Sequence, residues 1–152
     1  MPNKFVFPGG RLDVVDQRLQ VRGELHPAVL TRLQKATRKE VTDRKLRGLA
    51  LASIRETFEE TGLIIGRETP ARCATRHPIW LQYFQHGVEP PLESMDFIAR
   101  AITPAYRTRR FDTRFFMIHD EFIHSDPEHV AEASGELNEI YWLTFAEARE
   151  LD

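Results

Sequence analysis

The chain has 152 residues, which suits one domain, and its 41% apolar and 29% charged residues are the mix of a folded protein. A net charge of −2 gives no overall pull toward nucleic acid or a membrane surface, and no apolar run approaches the length of a membrane span. One cysteine, Cys73, excludes an internal disulfide framework, and the opening MPNKFVFPGG has no secretory apolar region, so the sequence points to a reducing, cytoplasmic setting.

In chain order, Phe5 to Phe7 reads as the end of a strand, followed at once by Pro8, Gly9 and Gly10. Pro fixes one backbone angle and Gly permits positive φ, so the triplet predicts a turn. From Gln17 to Gly48, nine basic residues (Arg18, Arg22, Arg32, Lys35, Arg38, Lys39, Arg44, Lys45 and Arg47) stand against Glu24, Glu40 and Asp43. Such a segment is either a solvated helical face or a surface that meets an anion. Pro27 suits the first turn of a helix, with Leu30, Leu33 and Ala36 or Thr37 following at helical spacing. A second helix is predicted from about Thr42 to Thr61, stopped by Gly62. HPIWLQYFQHG predicts a short third one, with Pro78 near its start and Gly87 at its end. MDFIARAIT, RRFDTRFFMI and NEIYWLTF read as strands. TFAE, Thr144 to Glu147, has the form of a capping box and opens a last helix. Strands mixed with helices indicate an α/β layered domain.

The informative segment is LASIRETFEETGL, Leu51 to Leu63. On a helical wheel with Leu51 at zero, Ile54 falls at about 300° and Phe58 at about 340°, forming an apolar stripe. Glu59, Glu56 and Glu60 fall at about 80°, 140° and 180°, roughly opposite that stripe. Their i, i+3 and i+4 spacings bring three like charges within about 5–6 Å at Cβ, where they repel. Arg55 can pair with Glu59, which leaves Glu56 and Glu60 unrelieved. A hard divalent cation would relieve all three, since carboxylate oxygens are what Mg²⁺ or Mn²⁺ prefers. An acidic solvated face is the alternative.

PGG followed by RETFEETGL resembles the Nudix hydrolase signature, G-x5-E-x7-R-E-U-x-E-E-x-G-U, with U a bulky aliphatic residue. Arg55, Glu56, Glu59, Glu60, Gly62 and Leu63 match its second half, and Thr57 stands where an aliphatic is preferred. Counting forward from Gly10, Asp16 takes the place of the first acid. Arg55 follows Gly10 by 45 positions rather than the signature's 14, so the box is interrupted by 31 residues, most of them in the basic segment. FVFPGGRLD, the long insertion, RETFEETGL and then ITPAYRTRRFDTRFF look like a Nudix subgroup that includes coenzyme A and acyl-coenzyme A diphosphatases. RFDTRFF is the most specific part. As a strand it sets Arg110, Asp112, Arg114 and Phe116 on one side, and Phe111, Thr113 and Phe115 on the other. An Arg/Asp/Arg row is either a cross-strand ion-pair ladder or a pair of phosphate grips.

The resemblance implies an α/β/α sandwich with a mixed sheet, spanning residues 1–152 as a single domain, with 17–48 a helical insertion between the Gly-Gly turn and the helix of the box. Only seven residues precede Pro8, where the family has at least one strand, and the last helix has barely begun at Asp152, so both ends look truncated. The resemblance also implies hydrolysis of a small-molecule nucleoside diphosphate derivative. Coenzyme A or acyl-coenzyme A comes first, with the basic insertion meeting the 3′-phosphate. ADP-ribose, dinucleotides or nucleotide sugars come second, and a catalytically silent nucleotide-binding module third. Glu56, Glu59 and Glu60 are the implied metal ligands, for Mg²⁺ or Mn²⁺. Arg55 would hold the carboxylates, and Gly9 and Gly10 would bring backbone amides beside the pyrophosphate. Arg110 and Arg114 would bind substrate. The general base falls among Glu132, Glu136 and Glu139, with Glu136 favoured because it follows Gly135 and precedes NEIYW. His119, His124 and His129 have spacings that suit neither a helical nor a strand pair and read as structural. Cys73 carries no expected catalysis. The oligomeric state stays open.

Overall fold

The computed structural model describes residues 5–37, 40–125 and 140–151. In chain order its elements are α1 (Val14–Arg18), α2 (Pro27–Lys35), α3 (Asp43–Thr61), β1 (Arg67–Glu68), α4 (Pro78–Phe84), β2 (Val88–Glu89), β3 (Asp96–Ile102), β4 (Asp112–Met117) and α5 (Phe145–Arg149), with short 3₁₀ turns at Leu92–Ser94 and Asp120–Phe122. The mixture of helix and strand is the α/β content that the sequence predicts.

The Pro and Gly punctuation works as read. α2 and α4 each begin on their proline. The Thr42 hydroxyl accepts from the Lys45 amide at the start of α3, and Gly62 ends that helix at φ 72° while donating to the Phe58 carbonyl. In α5, Thr144 and Glu147 form the expected reciprocal cap. α3 buries Leu46, Ala50, Leu51 and Ile54. These join Leu19, Leu25, Val29 and Leu33 from the insertion, Trp80 and Tyr83 from α4, and Val88, Leu92, Met95 and Phe97 in one core. Each such side chain contributes about 1.5–3 kcal/mol by leaving water. The Tyr83 hydroxyl donates to the Ile65 carbonyl at 2.7 Å, and burial pushes its pKa up.

α1 is an element that the sequence reading does not contain. It packs against the first half of α3 at Gly48. A Cβ there would stand 2.8 Å from Gln17 Cγ and 3.2 Å from Gln17 Cα. Glycine in a helix interior gives up about 1 kcal/mol against alanine. Here it permits the approach that seats α1 on α3.

The strands form two antiparallel pairs. β1 and β2 join Arg67 to Glu89 and Glu68 to Val88. β3 and β4 run in register from Asp96 opposite Met117 to Ile102 opposite Asp112, with a bulge between Phe97 and Ala99. After α3, Gly66 donates to the Phe122 carbonyl and His124 to the Ile64 carbonyl, both at 2.8 Å, which ties the end of the helix to the chain beyond β4. Two predicted strands are not strands. Phe5 to Phe7 and Ile140 to Leu143 have no ladder partner among the described residues, and Asn138 and Glu139 lie outside those residues. Phe5 instead meets the Tyr141 ring edge-on, and Phe7 meets Phe115. A short apolar run makes a strand only where a second strand supplies its hydrogen bonds. No helix among the described residues is long and apolar enough to cross a membrane.

Candidate active site

The site begins with α1. Asp13 caps this helix by accepting from the Val15 amide, and the Asp16 carboxylate reaches back to accept from the Asp13 amide at 2.9 Å. The cap turns Asp16 inward, where it is fully buried. A buried carboxylate requires donors. Arg55 of α3 supplies two, from Nε to Oδ1 and from Nη2 to Oδ2, both at 2.9 Å, and Trp80 of α4 supplies a third from Nε1 to Oδ1, also at 2.9 Å. Asp16 and Arg55, 39 positions apart in sequence, therefore meet as a bidentate pair. Burial alone would lower the Arg55 pKa. The hydrogen bonds and charge of Asp16, with help from Glu56, outweigh burial and hold the guanidinium above the ordinary arginine value.

Arg55 has donors left over, and they organise the acidic face. Nη2 also bonds the Arg11 carbonyl at 2.8 Å and pairs with Glu56 Oε1 at 2.9 Å, while Nη1 donates to Glu59 Oε2 at 3.2 Å. The Gly-Gly turn lies over the same face. Gly9 donates its amide to Glu60 Oε2 at 2.8 Å, and Arg11 donates to Glu56 Oε1 at 3.1 Å. A Cβ on Gly10 would stand 2.2 Å from Glu56 Oε2, so a larger residue here would push the Glu56 carboxylate aside. The turn amides expected beside a pyrophosphate thus face the helix carboxylates in this arrangement. Thr57, on the opposite flank, is buried and donates its hydroxyl to the Ser53 carbonyl at 2.8 Å, which satisfies a polar group where an aliphatic was the family preference.

Gly9, Gly10, Arg55, Glu56, Glu59 and Glu60 are therefore brought together, and Asp16 joins them as the partner of Arg55. Among the described residues no three His, Cys, Asp or Glu side chains converge closely enough, as they stand, to hold one metal ion. The donor set still fits a hard divalent ion. It consists of carboxylate oxygens on one helix face, and Glu56 and Glu59 are reachable, with 15% and 37% of their side chains exposed.

The arginines of the RFDTRFF stretch are arranged differently. Asp112 pairs with Arg100 of β3 at 2.6 Å and with Arg114 at 3.0 Å, which is the ion-pair ladder of the structural reading. Arg114 Nε is buried with no hydrogen-bond partner among the described residues. Arg110 donates to the Thr103 carbonyl at 3.3 Å. Glu132, Glu136, Glu139 and His129 lie outside the described residues. His119 stands at the N-cap position of the 3₁₀ turn at Asp120–Phe122 with no cap bond from its side chain, and the backbone amide of His124 donates to the Ile64 carbonyl. Burial, with the Glu89 charge adding, pushes the Cys73 thiol up, away from the thiolate a nucleophile needs. In the insertion, Arg32 pairs with Asp96, Arg47 pairs with Glu24 and bonds the Leu19 carbonyl, and Arg44 bonds the Gln17 carbonyl. Sequence reasoning missed α1 and Trp80. The D-x-x-D spacing from Asp13 to Asp16 was a local sign of the first. Nothing local marked the second, since its partner is 64 positions away.

No protein-family model matches this chain, and no curated protein matches it. Among solved structures, it is similar to the crystal structure of a NUDIX hydrolase from Alicyclobacillus acidocaldarius, at 22% sequence identity and a TM-score of 0.46. The likeness covers 82% of this chain and 62% of that one, so the chain spans less than two thirds of that protein's length.

Proposed function

We propose that the chain is a metal-dependent pyrophosphohydrolase of the Nudix type, with the α/β/α sandwich of that family, acting on a nucleoside diphosphate linked to a second group. One observation carries this reading. The two halves of an interrupted box meet in space, with Asp16 on Arg55 and the glycine turn on Glu56 and Glu60. A solvated acidic face requires neither the buried arginine nor the turn.

Glu56, Glu59 and Glu60 would hold Mg²⁺ or Mn²⁺. When bound, a divalent ion neutralises phosphate oxygens and lowers the pKa of its water. The chain's own part is to fix the carboxylates. Arg55 holds Glu56 and Glu59 by one planar fork, itself set by Asp16. The Gly9 amide holds Glu60 Oε2, the Arg11 amide shares Glu56 Oε1 with Arg55, and both amides would turn to the phosphates as ligand enters. Glu136 is the proposed acceptor of the water's proton. Arg110 and Arg114 are the proposed phosphate grips, and the unspent Arg114 Nε is a donor that a phosphate oxygen would accept from.

Coenzyme A or acyl-coenzyme A is the first substrate reading, on the strength of RFDTRFF. A second reading, ADP-ribose, a dinucleotide or a nucleotide sugar, gains from the internal bonds of Arg32, Arg44 and Arg47, which take three insertion arginines away from any 3′-phosphate. The test is mass spectrometry of products after incubation with Mg²⁺ and a mixed pool of these compounds. Release of 3′,5′-ADP with phosphopantetheine supports the first reading, and AMP from ADP-ribose supports the second. No turnover of any of them overturns the assignment as a hydrolase and leaves a silent binding module. In the same assay Glu60→Gln is expected to abolish turnover with an unchanged circular dichroism spectrum, because an amide oxygen can still accept from Gly9. Retained turnover would remove Glu60 from the ligand set.

A further inference from the structure

We propose that Trp80 is a positioning residue for the helix carboxylates, acting through Asp16 and Arg55; the inference rests on the hydrolase reading above. Asp16 is fully buried and accepts four hydrogen bonds. Two come from Arg55, the group it must hold. The other two come from outside that pair, one to each oxygen: the Asp13 amide on Oδ2 and the Trp80 indole on Oδ1. These two fix the carboxylate plane. A planar guanidinium bound through Nε and Nη2 copies that plane, so the direction of its remaining Nη1 donor, toward Glu59, and the place of its charge beside Glu56 are set by them as well.

Trp80 is anchored well enough to serve. It is fully buried, its ring stacks on Phe84 at 5.6 Å, and it meets the Tyr83 ring edge-on at 5.2 Å. Plain packing would explain a large apolar ring here. It does not explain an indole N–H delivered at 2.9 Å to the one carboxylate that orients the arginine. α4 thus reaches the acidic face of α3 without touching it. Groups bonded directly to metal ligands typically change metal affinity or activity by about 10–100-fold when removed, and Trp80, which acts through Asp16 and Arg55, is expected at the lower end of that range.

The test separates the donor from the ring. Trp80→Phe removes the N–H. Should that variant not fold, 3-benzothienylalanine at position 80 keeps the bicyclic shape and puts sulfur where the N–H stood, and 5-fluorotryptophan, which keeps the donor, is the control. Three readouts are taken: the Arg55 Nε–H resonance in NMR, Mn²⁺ affinity by electron paramagnetic resonance, and kcat and KM separately on the substrate found in the pool assay. The expected result is a shifted or faster-exchanging Arg55 signal, a loss of about 10-fold in Mn²⁺ affinity or kcat, and KM changed by less than about threefold, with the 5-fluorotryptophan protein like wild type. An Arg55 signal and Mn²⁺ affinity both equal to wild type overturn the proposal, as does a changed signal with unchanged affinity and kcat, which would make Trp80 purely structural. Wild-type protein that neither binds Mn²⁺ nor turns over substrate fails the hydrolase reading itself, a different outcome read before any variant is made.

Discussion

Asp16 and Arg55 are the residues on which the arrangement turns, and their burial fixes the sign of a mutation. Asp16→Asn takes from a guanidinium that is only 5% exposed its one fully buried charge partner, with Glu56 and Glu59 left at its outer edge. Breaking a buried pair from one side typically loses about 3–5 kcal/mol. Chemical denaturation is expected to show that loss, and a change below about 1 kcal/mol would mean that the pair is not formed in solution. Gly10 works in the opposite sense. Its missing Cβ touches only the far end of the Glu56 side chain, which can swing aside. Gly10→Ala is therefore expected to leave the melting temperature within a few degrees while displacing the Glu56 carboxylate, so Mg²⁺-dependent turnover falls and folding does not. At this scale the sequence was informative where spacing carried the signal. Arg55, Glu56, Glu59 and Glu60 share a face because helical geometry requires it, and Asp16 falls at the right step from Gly10. The Trp80 bond was not legible, because it depends on how α4 packs, and no periodicity encodes that.

The elements divide in the same way. Helices that carry their own punctuation, Pro27, Pro78, Thr42 with Gly62, and Thr144 with Glu147, stand where the pattern places them. α1 was hidden because its cap is an Asp pair rather than Ser or Thr with Glu, and β1 and β2 are two residues each, too short to alternate. Phe5 to Phe7 and Ile140 to Leu143 are continuous apolar, aromatic-rich runs but lack a partner strand among the described residues. The β3–β4 ribbon carries a charge ladder with a definite pH response. The hydrogen bond from Arg100, against the upward push of burial and with the Arg114 charge adding, holds the Asp112 carboxyl below its ordinary value of 3.8. A depressed carboxyl takes up its proton less readily in the folded state, so its contribution is present above the unfolded value and disappears as pH falls through the folded one. The difference in melting temperature between wild type and Asp112→Asn is expected to be constant near neutrality and to shrink only below 3.8. A gap that closes above that pH would place its cause elsewhere.

Across the whole molecule, one core draws on the insertion, α3, α4 and the chain through β3. Its two tryptophans sit at opposite extremes, Trp80 fully buried and Trp142 58% exposed. Acrylamide is expected to quench part of the wild-type emission readily and to leave Trp142→Phe almost unquenched and blue-shifted until the core opens. Uniform quenching in both proteins would contradict the packing of α4. The contact of Asp16 with Arg55 also makes the intervening residues a detour that leaves and returns to one place. Closure entropy grows only with the logarithm of length, so doubling such a detour costs about 0.6 kcal/mol. Exposed positions along this detour are thus a splice port, where a grafted sensor or cargo domain is expected to leave the two halves of the site joined. The graft has to preserve the rivets that hold the port to the body, Leu19, Leu25, Val29 and Leu33 on the detour and Leu46 and Leu51 on the helix that brings it home.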